Sequence, residues 1–201
     1  MNKIIHCCCL AAALFLATTP AMADDIRGRL GVTGRIGFLV PADSELAGRS
    51  ADTDTGFVGG GGFIYGITKN IAAEFDITHT DYDVHGNGTM GGNAETNNFS
   101  LGAQYRFDVA VPQLTPYVGA GLDILINDFT YSDGARTDVD STVGVHISGG
   151  ADYFVNRQVA LTAQLKAVLA PSGDINYLGS KAGNIDPTSI SMTFGARYFF
   201  N

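Results

Sequence analysis

Apolar and polar residues alternate along most of the chain. In the first such segment Leu30, Val32, Ile36, Phe38 and Val40 share one face, and the positions between them hold mostly glycine and polar residues. Successive side chains of a β-strand point to opposite faces of a sheet, so this period of two predicts a strand. The alternation recurs in seven further segments, 57–67, 71–77, 99–107, 118–126, 143–153, 159–169 and 190–200. The pattern therefore predicts eight strands.

The two faces of these segments differ in a way that identifies their surroundings. No apolar-face position carries Asp, Glu, Lys or Arg, and the opposite face holds mainly small residues with a few charges. A soluble barrel such as a lipocalin would need long charged side chains on its outer face, and this chain lacks them. A transmembrane barrel turns its apolar face to lipid and its polar face to the lumen, and about ten residues per strand suffice to span the bilayer. The pattern favours the transmembrane barrel, with the soluble barrel as the alternative.

The lengths of the connections give a second test. The links 41–54, 80–95, 127–141 and 171–187 are long, whereas 68–70, 108–114 and 156–157 are short, and the two kinds alternate along the chain. Outer-membrane barrels have long external loops and short periplasmic turns. The sequence therefore predicts an all-β, eight-stranded antiparallel up-and-down transmembrane β-barrel with both termini in the periplasm.

Aromatic residues gather near one end of the segments, as in the girdle that flanks the lipid-facing band of such barrels. The residues assigned to this girdle are Tyr65, Tyr105, Phe107, Tyr117, Tyr153, Tyr198 and Phe200.

The first 23 residues have the layout of a secretory signal peptide. Lys3 precedes an apolar stretch from residue 4 to 17, and Ala21 to Ala23 forms a small-x-small cleavage site. We expect residues 1–23 to be removed and residues 24–201 to form the outer-membrane barrel. All three cysteines, Cys7 to Cys9, lie in the removed segment. The mature chain would then contain no disulfide, thiol nucleophile or cysteine metal site.

Composition narrows the class of protein further. The chain has 201 residues, 26 of them glycine, and a net charge of −8. It contains no run of about 18 apolar residues that could form a transmembrane helix. An acidic chain without a basic stretch also argues against nucleic-acid binding. The four long links contain thirteen acidic and three basic residues, so the acidity is concentrated in an external rim. This rim could meet lipopolysaccharide through divalent ions.

Charged residues also occur on the polar face of the strands, and these would point into the lumen. Charges at membrane depth are costly unless they pair or contact water, so we expect a salt-bridge network that plugs the barrel. A narrow polar path for water or small ions is the alternative. The predicted lumen charges are Arg29, Arg35, Glu74, Asp76, Arg106, Asp123, Asp152, Lys166 and Arg197.

Four apolar residues occupy inward positions near the external mouth. Leu39, Leu125 and Val168 are the last inward residues of the first, fifth and seventh strands, and Val58 lies near the start of the second. They suggest a shallow apolar vestibule above the charged plug. We hypothesise that it receives a small hydrophobic ligand and releases it sideways.

Two other groups of residues give weaker indications. His79, Asp81, Asp83 and His85 share one strand face and form a weak metal candidate, although a solvated strand end is the simpler interpretation. Ser100, His79 and His146 lie in no recognisable nucleophile motif, so no enzyme activity and no cofactor are expected. His146 itself is interpreted as a hydrogen-bonding group of the lumen.

Several stretches resemble the outer-membrane protein W (OmpW) family and related small opacity-type barrels. They are PYVGAGL at 116–122, GADYFVNR at 150–157, FGARYFF at 194–200 and TKNIAAE at 68–74. The last strand resembles an outer-membrane assembly signal, which would engage the assembly machinery, although Asn201 follows the usual final aromatic residue.

The resemblance implies an eight-stranded barrel that passes small hydrophobic molecules from outside into the membrane. It also implies use as a phage or colicin receptor. Two classes of function therefore stay open. One is passive uptake of small hydrophobic molecules, and the other is a structural or adhesive surface barrel that acts through its loops.

Overall fold

The computed structural model describes residues 25–41, 44–46, 49–85, 92–131, 136–138, 141–171, 173–177, 180–185 and 188–200. The expected signal peptide, residues 1–23, lies outside these ranges. Thirteen strands occur within them: β1 (Leu30–Pro41), β2 (Ser44–Leu46), β3 (Arg49–Thr53), β4 (Gly56–Gly66), β5 (Ile71–His85), β6 (Gly92–Arg106), β7 (Leu114–Tyr131), β8 (Arg136–Asp138), β9 (Thr142–Phe154), β10 (Val159–Leu169), β11 (Gly173–Tyr177), β12 (Ser180–Ile185) and β13 (Ser189–Phe199). Among the described residues, no helix has the length and apolar character needed to cross a membrane.

Eight of these strands form a closed barrel. Each of β1, β4, β5, β6, β7, β9, β10 and β13 pairs antiparallel with the next, and β13 pairs back with β1 to close the circle. The β13–β1 register runs from Phe199 opposite Gly31 to Ser189 opposite Pro41. The predicted eight-stranded up-and-down barrel is thus confirmed. Closure pairs both edges of each of these eight strands, which is the condition for crossing a bilayer with strands.

The alternation of the sequence appears directly in the exposure of the side chains. Outward residues such as Leu101 and Ile147 are 63% and 65% exposed, whereas the inward Asp123 and Asp152 are fully buried. This inverts the usual arrangement of a soluble protein, in which apolar residues are inside. The prediction that the apolar face forms the outside of the barrel is therefore confirmed.

The two ends of the barrel differ in their connections. Residues 67–70, 107–113 and 155–158 join neighbouring strands at one end of the barrel, here called the short-turn end. β1 begins and β13 finishes at this same end. The other end is called the long-hairpin end. There, strands continue into segments predicted as links: β5 and β6 pair from Ile71 with Tyr105 out to Val84 with Gly92. Backbone pairing does not require apolar side chains, so these hairpins extend past the point where the apolar pattern stops.

Further pairing at the long-hairpin end involves short strands. β3 joins β2 to β5, β12 pairs with β2 and β11, and β8 pairs with β7. The predicted long links at 41–54, 127–141 and 171–187 therefore contain strand structure of their own.

Tyr117 departs from its expected position in the aromatic girdle. Tyr65, Tyr105, Tyr153 and Tyr198 are 37–50% exposed on the outer face, but Tyr117 is 2% exposed and points into the lumen. Tyr117 lies an even number of positions from Thr115 and Asp123, which are inward residues of β7. The alternation of the strand therefore turns its ring into the lumen, although it is aromatic. The assignment of Tyr117 to the girdle was wrong.

The short-turn end of the lumen is filled by apolar side chains. Ile26, in the segment before β1, packs with inward residues of five strands in a buried cluster, and its side chain is 2% exposed. A tight turn places it there: Arg29 N–H donates to the Ile26 carbonyl at 2.9 Å, and Gly28 has a φ of 75°, which favours glycine. The other members of the cluster are Ile64, Ala72, Phe154, Ala160 and Phe199.

Candidate functional site

A network of ion pairs occupies the lumen above this apolar cluster. Glu74 on β5 is at its centre: its Oε1 accepts from Arg197 Nη2 at 2.7 Å and from Arg35 Nη2 at 3.0 Å. Its Oε2 accepts from Gln104 Nε2 at 2.7 Å. Arg35 Nη2 also lies 3.1 Å from Asp76 Oδ1. Two arginines and two carboxylates from three strands thus neutralise one another within the barrel.

The same network continues toward the short-turn end through Asp152. Arg106 Nη2 donates to Asp152 Oδ2 at 2.7 Å, and Arg197 Nε lies 3.4 Å from Asp152 Oδ1. The guanidinium carbons of Arg106 and Arg197 lie 5.9 Å and 5.3 Å from the centroid of the Tyr117 ring. At these distances both cations are attracted to the ring face, so Tyr117 serves the plug as an aromatic partner.

A second group of polar side chains is centred on Asp123 of β7. Its Oδ1 accepts from Lys166 Nζ at 2.7 Å, Asn98 Nδ2 at 2.9 Å and Ser100 Oγ at 2.5 Å. Its Oδ2 accepts from His146 Nδ1 at 2.5 Å. Four donors from the three strands β6, β9 and β10 compensate the burial of this carboxylate.

These contacts place the nine predicted lumen charges. Eight of them take part in the two groups just described. Arg29 lies lower, at the short-turn end, where its guanidinium donates to the carbonyl oxygens of Arg157 at 2.8 Å and Phe200 at 3.4 Å. It also lies 5.5 Å from the centroid of the Phe199 ring. Arg29 therefore helps to close the barrel seam beside β13.

The four predicted vestibule residues line a single cavity at the long-hairpin end of the lumen. Leu39, Val58, Leu125 and Val168 come from four different strands, and the cavity measures about 640 Å³ with its open mouth included. Val58, Leu125 and Val168 are each less than 5% exposed, so they belong to the wall of the cavity and not to its outer surface. We name this space the Leu39 cavity.

The floor of the Leu39 cavity is polar. Arg35, Asp76 and Lys166 contribute to its lining. Val168 follows Lys166 by two residues on β10, so the apolar wall begins about 7 Å above the charges. The four apolar residues thus alternate with hydroxyl-bearing side chains such as Thr80, Ser189 and Ser191 around the cavity wall, and the floor belongs to the ion-pair network.

The described residues of the weak metal candidate lie on the outer face of the barrel wall, away from the lumen. His79, Asp81 and Asp83 are exposed on the outer face of β5, and the side chain of His85 lies outside the described residues. Asn93 Nδ2 donates to Asp81 Oδ1 at 2.5 Å, and His79 Nδ1 is 3.0 Å from Asn97 Oδ1. Within the described part of the chain, no group of three His, Cys, Asp or Glu side chains is close enough to hold a metal ion.

Ser100 is not arranged as a nucleophile. Its hydroxyl donates to Asp123 and accepts from Lys166 Nζ at 2.5 Å, and His146 contacts Asp123 and not the serine. A histidine that activates a serine must accept the serine's proton directly. The geometry of this group is that of a carboxylate held by donors.

Uncharged members of the lumen network were missed from the sequence. Gln104 and Gln164 join the Glu74 and Arg35 contacts, and Asn98 joins the Asp123 group. The alternation of the sequence places these amide side chains on the inward face, but only the charged inward residues were assigned to the network. The apolar cluster was also missed, although Ile64 and Phe154 occupy polar-face positions near the short-turn ends of their strands.

Outside the membrane-spanning segments, an ion pair connects two of the short turns. Lys69 Nζ lies 2.9 Å from Asp108 Oδ2, and both side chains are more than half exposed. Hydrogen bonding to Asp108 raises the pKa of Lys69, and hydrogen bonding to Lys69 lowers the pKa of Asp108. Solvent screens such a pair, so it fixes the turns only weakly.

Comparisons with known proteins agree with this architecture. Residues 9–198 match a family model described as "Outer membrane protein beta-barrel domain". No curated protein matches the sequence. The solved structure of OprG from Pseudomonas aeruginosa is similar at 17% identity and a TM-score of 0.67, covering 90% of this chain and 99% of that one.

Two further solved structures are similar. Neisserial surface protein A (NspA) shows 19% identity and a TM-score of 0.60, with 85% of this chain and 97% of that one covered. E. coli outer membrane protein W shows 18% identity and a TM-score of 0.51, with 87% and 98% covered. At such identities the similarity concerns the fold, and at that level the expected resemblance to OmpW-type barrels is confirmed.

Proposed function

The chain belongs to the outer membrane protein β-barrel domain family, and from this premise we propose that it takes up small hydrophobic molecules through the Leu39 cavity. Family membership places the protein in the outer membrane. The long-hairpin end then faces outward and the short-turn end, with both termini, faces the periplasm. This orientation rests on the rule that such barrels have long external loops and short periplasmic turns.

The observation that carries the proposal is the convergence of Leu39, Val58, Leu125 and Val168 on one cavity. They are apolar residues at the long-hairpin end of the lumen, separated from the apolar cluster at the short-turn end by the charged groups. An apolar ligand that contacts these side chains gains about 25 cal/mol for each Å² of its surface removed from water.

A ligand in this cavity has no straight route through the barrel. Directly below are the Glu74 and Asp123 groups, and Arg197, Asp152 and Asp123 are at most 1% exposed. An apolar molecule would have to displace paired charges, which costs several kcal/mol. Release through the wall into the membrane avoids this cost, because the outer faces of β1, β10 and β13 beside the cavity carry apolar residues such as Phe38, Leu169 and Ile190.

Replacing the apolar wall by charge tests the proposal. We expect Leu39→Asp together with Leu125→Asp to abolish uptake of a small alkane by liposomes containing the refolded protein, because each carboxylate would have to be desolvated against the ligand. The matched control is Leu39→Met with Leu125→Met, which keeps the wall apolar and should retain uptake. Circular dichroism verifies that both variants form the barrel.

Unchanged uptake in the aspartate variant would overturn the proposal. The barrel would then serve the other class of function, a structural or adhesive surface protein or a receptor acting through its hairpins. Ser100 and His146 both bind Asp123 and not each other, so this pair supports no serine-based hydrolysis in either class of function.

A further inference from the structure

The floor of the Leu39 cavity carries a cation with unused hydrogen-bonding capacity. The Lys166 ammonium has three N–H donors. The structure gives it two acceptors, Asp123 Oδ1 at 2.7 Å and Ser100 Oγ at 2.5 Å. Its side chain is 13% exposed, whereas those of its partner Asp123 and of Arg35 are 0% and 3% exposed. Lys166 is thus more accessible from the cavity than Arg35, the other cation of the floor.

A polar group of a ligand would meet this ammonium if its apolar part packed against the cavity wall. Lys166 and Val168 lie on the same face of β10, and both line the cavity. A chain of a few carbons spans the distance of about 7 Å between those two positions. The cavity therefore has the arrangement for an amphiphile, with the tail toward the mouth and the head on the floor.

The charges along the route restrict the head group. The Lys166 charge is already compensated by Asp123, so an anionic head would add an unpaired negative charge in a desolvated site. An anion would also have to pass the rim, where the four long links carry thirteen acidic and three basic residues. A cationic head would be attracted to that rim but would then face Lys166 and Arg35, since the carboxylate of the floor, Asp76, is already paired with Arg35 at 3.1 Å. An uncharged hydrogen-bond acceptor avoids both penalties.

We infer that the cavity selects uncharged amphiphiles, such as aliphatic alcohols, whose oxygen accepts a hydrogen bond from Lys166. This rests on the proposed function and specifies its substrate class. The hydroxyl accepts from the ammonium while the alkyl chain contacts Leu39, Leu125 and Val168. A plain alkane fills the same wall but leaves the third donor of Lys166 without an acceptor.

Binding of matched solutes tests the inference. The protein in lipid nanodiscs is labelled at its Leu and Val methyl groups and titrated with hexane, hexanol, hexanoate and hexylamine. We expect the methyl signals of Leu39, Val58, Leu125 and Val168 to shift with hexanol at about one tenth of the membrane concentration that hexane requires, since a hydrogen bond to a charged group is made only by the alcohol. Hexanoate and hexylamine should bind more weakly than hexanol.

A paired substitution separates head-group recognition from packing. Lys166→Met with Asp123→Asn removes the ammonium and its counter-charge together, so no buried charge loses its partner. We expect this variant to bind hexane and hexanol equally. Lys69→Met, on a short turn at the other end of the barrel, is the matched control and should keep the tenfold preference.

Each outcome has a defined meaning. Equal binding of hexane and hexanol by the unmodified protein, or stronger binding of hexanoate, would overturn this inference and leave the proposed function standing. A preference for hexanol that survives in the paired variant would also overturn it. If no solute shifts the four methyl signals, the proposed function fails and the inference fails with it.

Discussion

Arg197 shows how a charge is held inside this barrel. Its side chain is 1% exposed, and it reaches Glu74 on one side, Asp152 on the other and the ring of Tyr117. A buried cation without such partners would cost several kcal/mol, whereas three compensating contacts make it part of the packed lumen. The side chains of the plug therefore depend on one another, because removal of one leaves the buried charges around it without a partner.

The first prediction concerns this dependence. We expect Arg197→Met to lower the free energy of unfolding by about 3–5 kcal/mol, because it leaves Glu74 and Asp152 buried with one cation fewer. Urea-induced unfolding in lipid vesicles, followed by circular dichroism, measures the change. Arg157→Met, at an exposed position of a short turn, should change stability by no more than about 0.5 kcal/mol. Equal stability of the two variants would contradict the proposed role of the network.

For individual residues, the sequence predicted which face of the barrel a side chain occupies but not which partner it contacts. Inward charges such as Glu74 and Asp123 were identified because strand parity alone decides which face a residue occupies. Which charge pairs with which was not predictable, because it depends on the register between strands that are distant in sequence. Tyr117 was misassigned because its aromatic ring was given more weight than its parity, and the structure shows that parity decides.

At the scale of the strand, the glycines differ in what surrounds them. Gly34 and Gly37 both lie on β1, three residues apart. A Cβ at Gly34 would meet nothing within 4 Å, whereas one at Gly37 would lie 2.0 Å from the Met192 carbonyl oxygen and 2.7 Å from Thr193 Cα on β13. The close approach of the two backbones at Gly37 has no room for a side chain.

The pair gives a prediction with its own control. We expect Gly37→Ala to destabilise the barrel by about 1–3 kcal/mol, because the β1–β13 seam must move apart. Gly34→Ala should leave stability within about 0.5 kcal/mol, since its methyl group points to lipid. Both are measured by urea unfolding in the same vesicles. A Gly37→Ala barrel as stable as Gly34→Ala would show that the seam yields without cost.

The extent of the strands was less predictable than their number. Apolar alternation marks the part of a strand that contacts lipid, so it located all eight barrel strands. It stops where lipid stops, yet β5 and β6 continue as a polar hairpin through Asp81, Asp83 and Asn93. Nothing in polar sequence distinguishes a paired extension from a loop, and for this reason the hairpin was predicted as a link.

For the whole molecule, charge is arranged in layers along the barrel axis. The lumen balances four cations, Arg35, Arg106, Lys166 and Arg197, against Glu74, Asp76, Asp123 and Asp152. The acidic excess of the chain lies in the hairpin end, where Asp54, Asp81 and Asp83 are exposed. An acidic rim next to the phosphate groups of lipopolysaccharide is repelled unless divalent cations bridge the two.

This arrangement predicts that chelation destabilises the protein only where lipopolysaccharide surrounds it. We expect EDTA to lower the Tm in lipopolysaccharide-containing membranes by about 2–4 °C or more, the shift that 1 kcal/mol produces in a chain of this size. In phosphatidylcholine membranes EDTA should have no effect. Asp81→Asn with Asp83→Asn should reduce the EDTA effect because two bridging carboxylates are lost, whereas Asp25→Asn with Asp108→Asn removes two carboxylates at the short-turn end and should leave it unchanged. A Tm that falls equally in both membranes would show that the cations act on the protein itself and not on its contact with lipopolysaccharide.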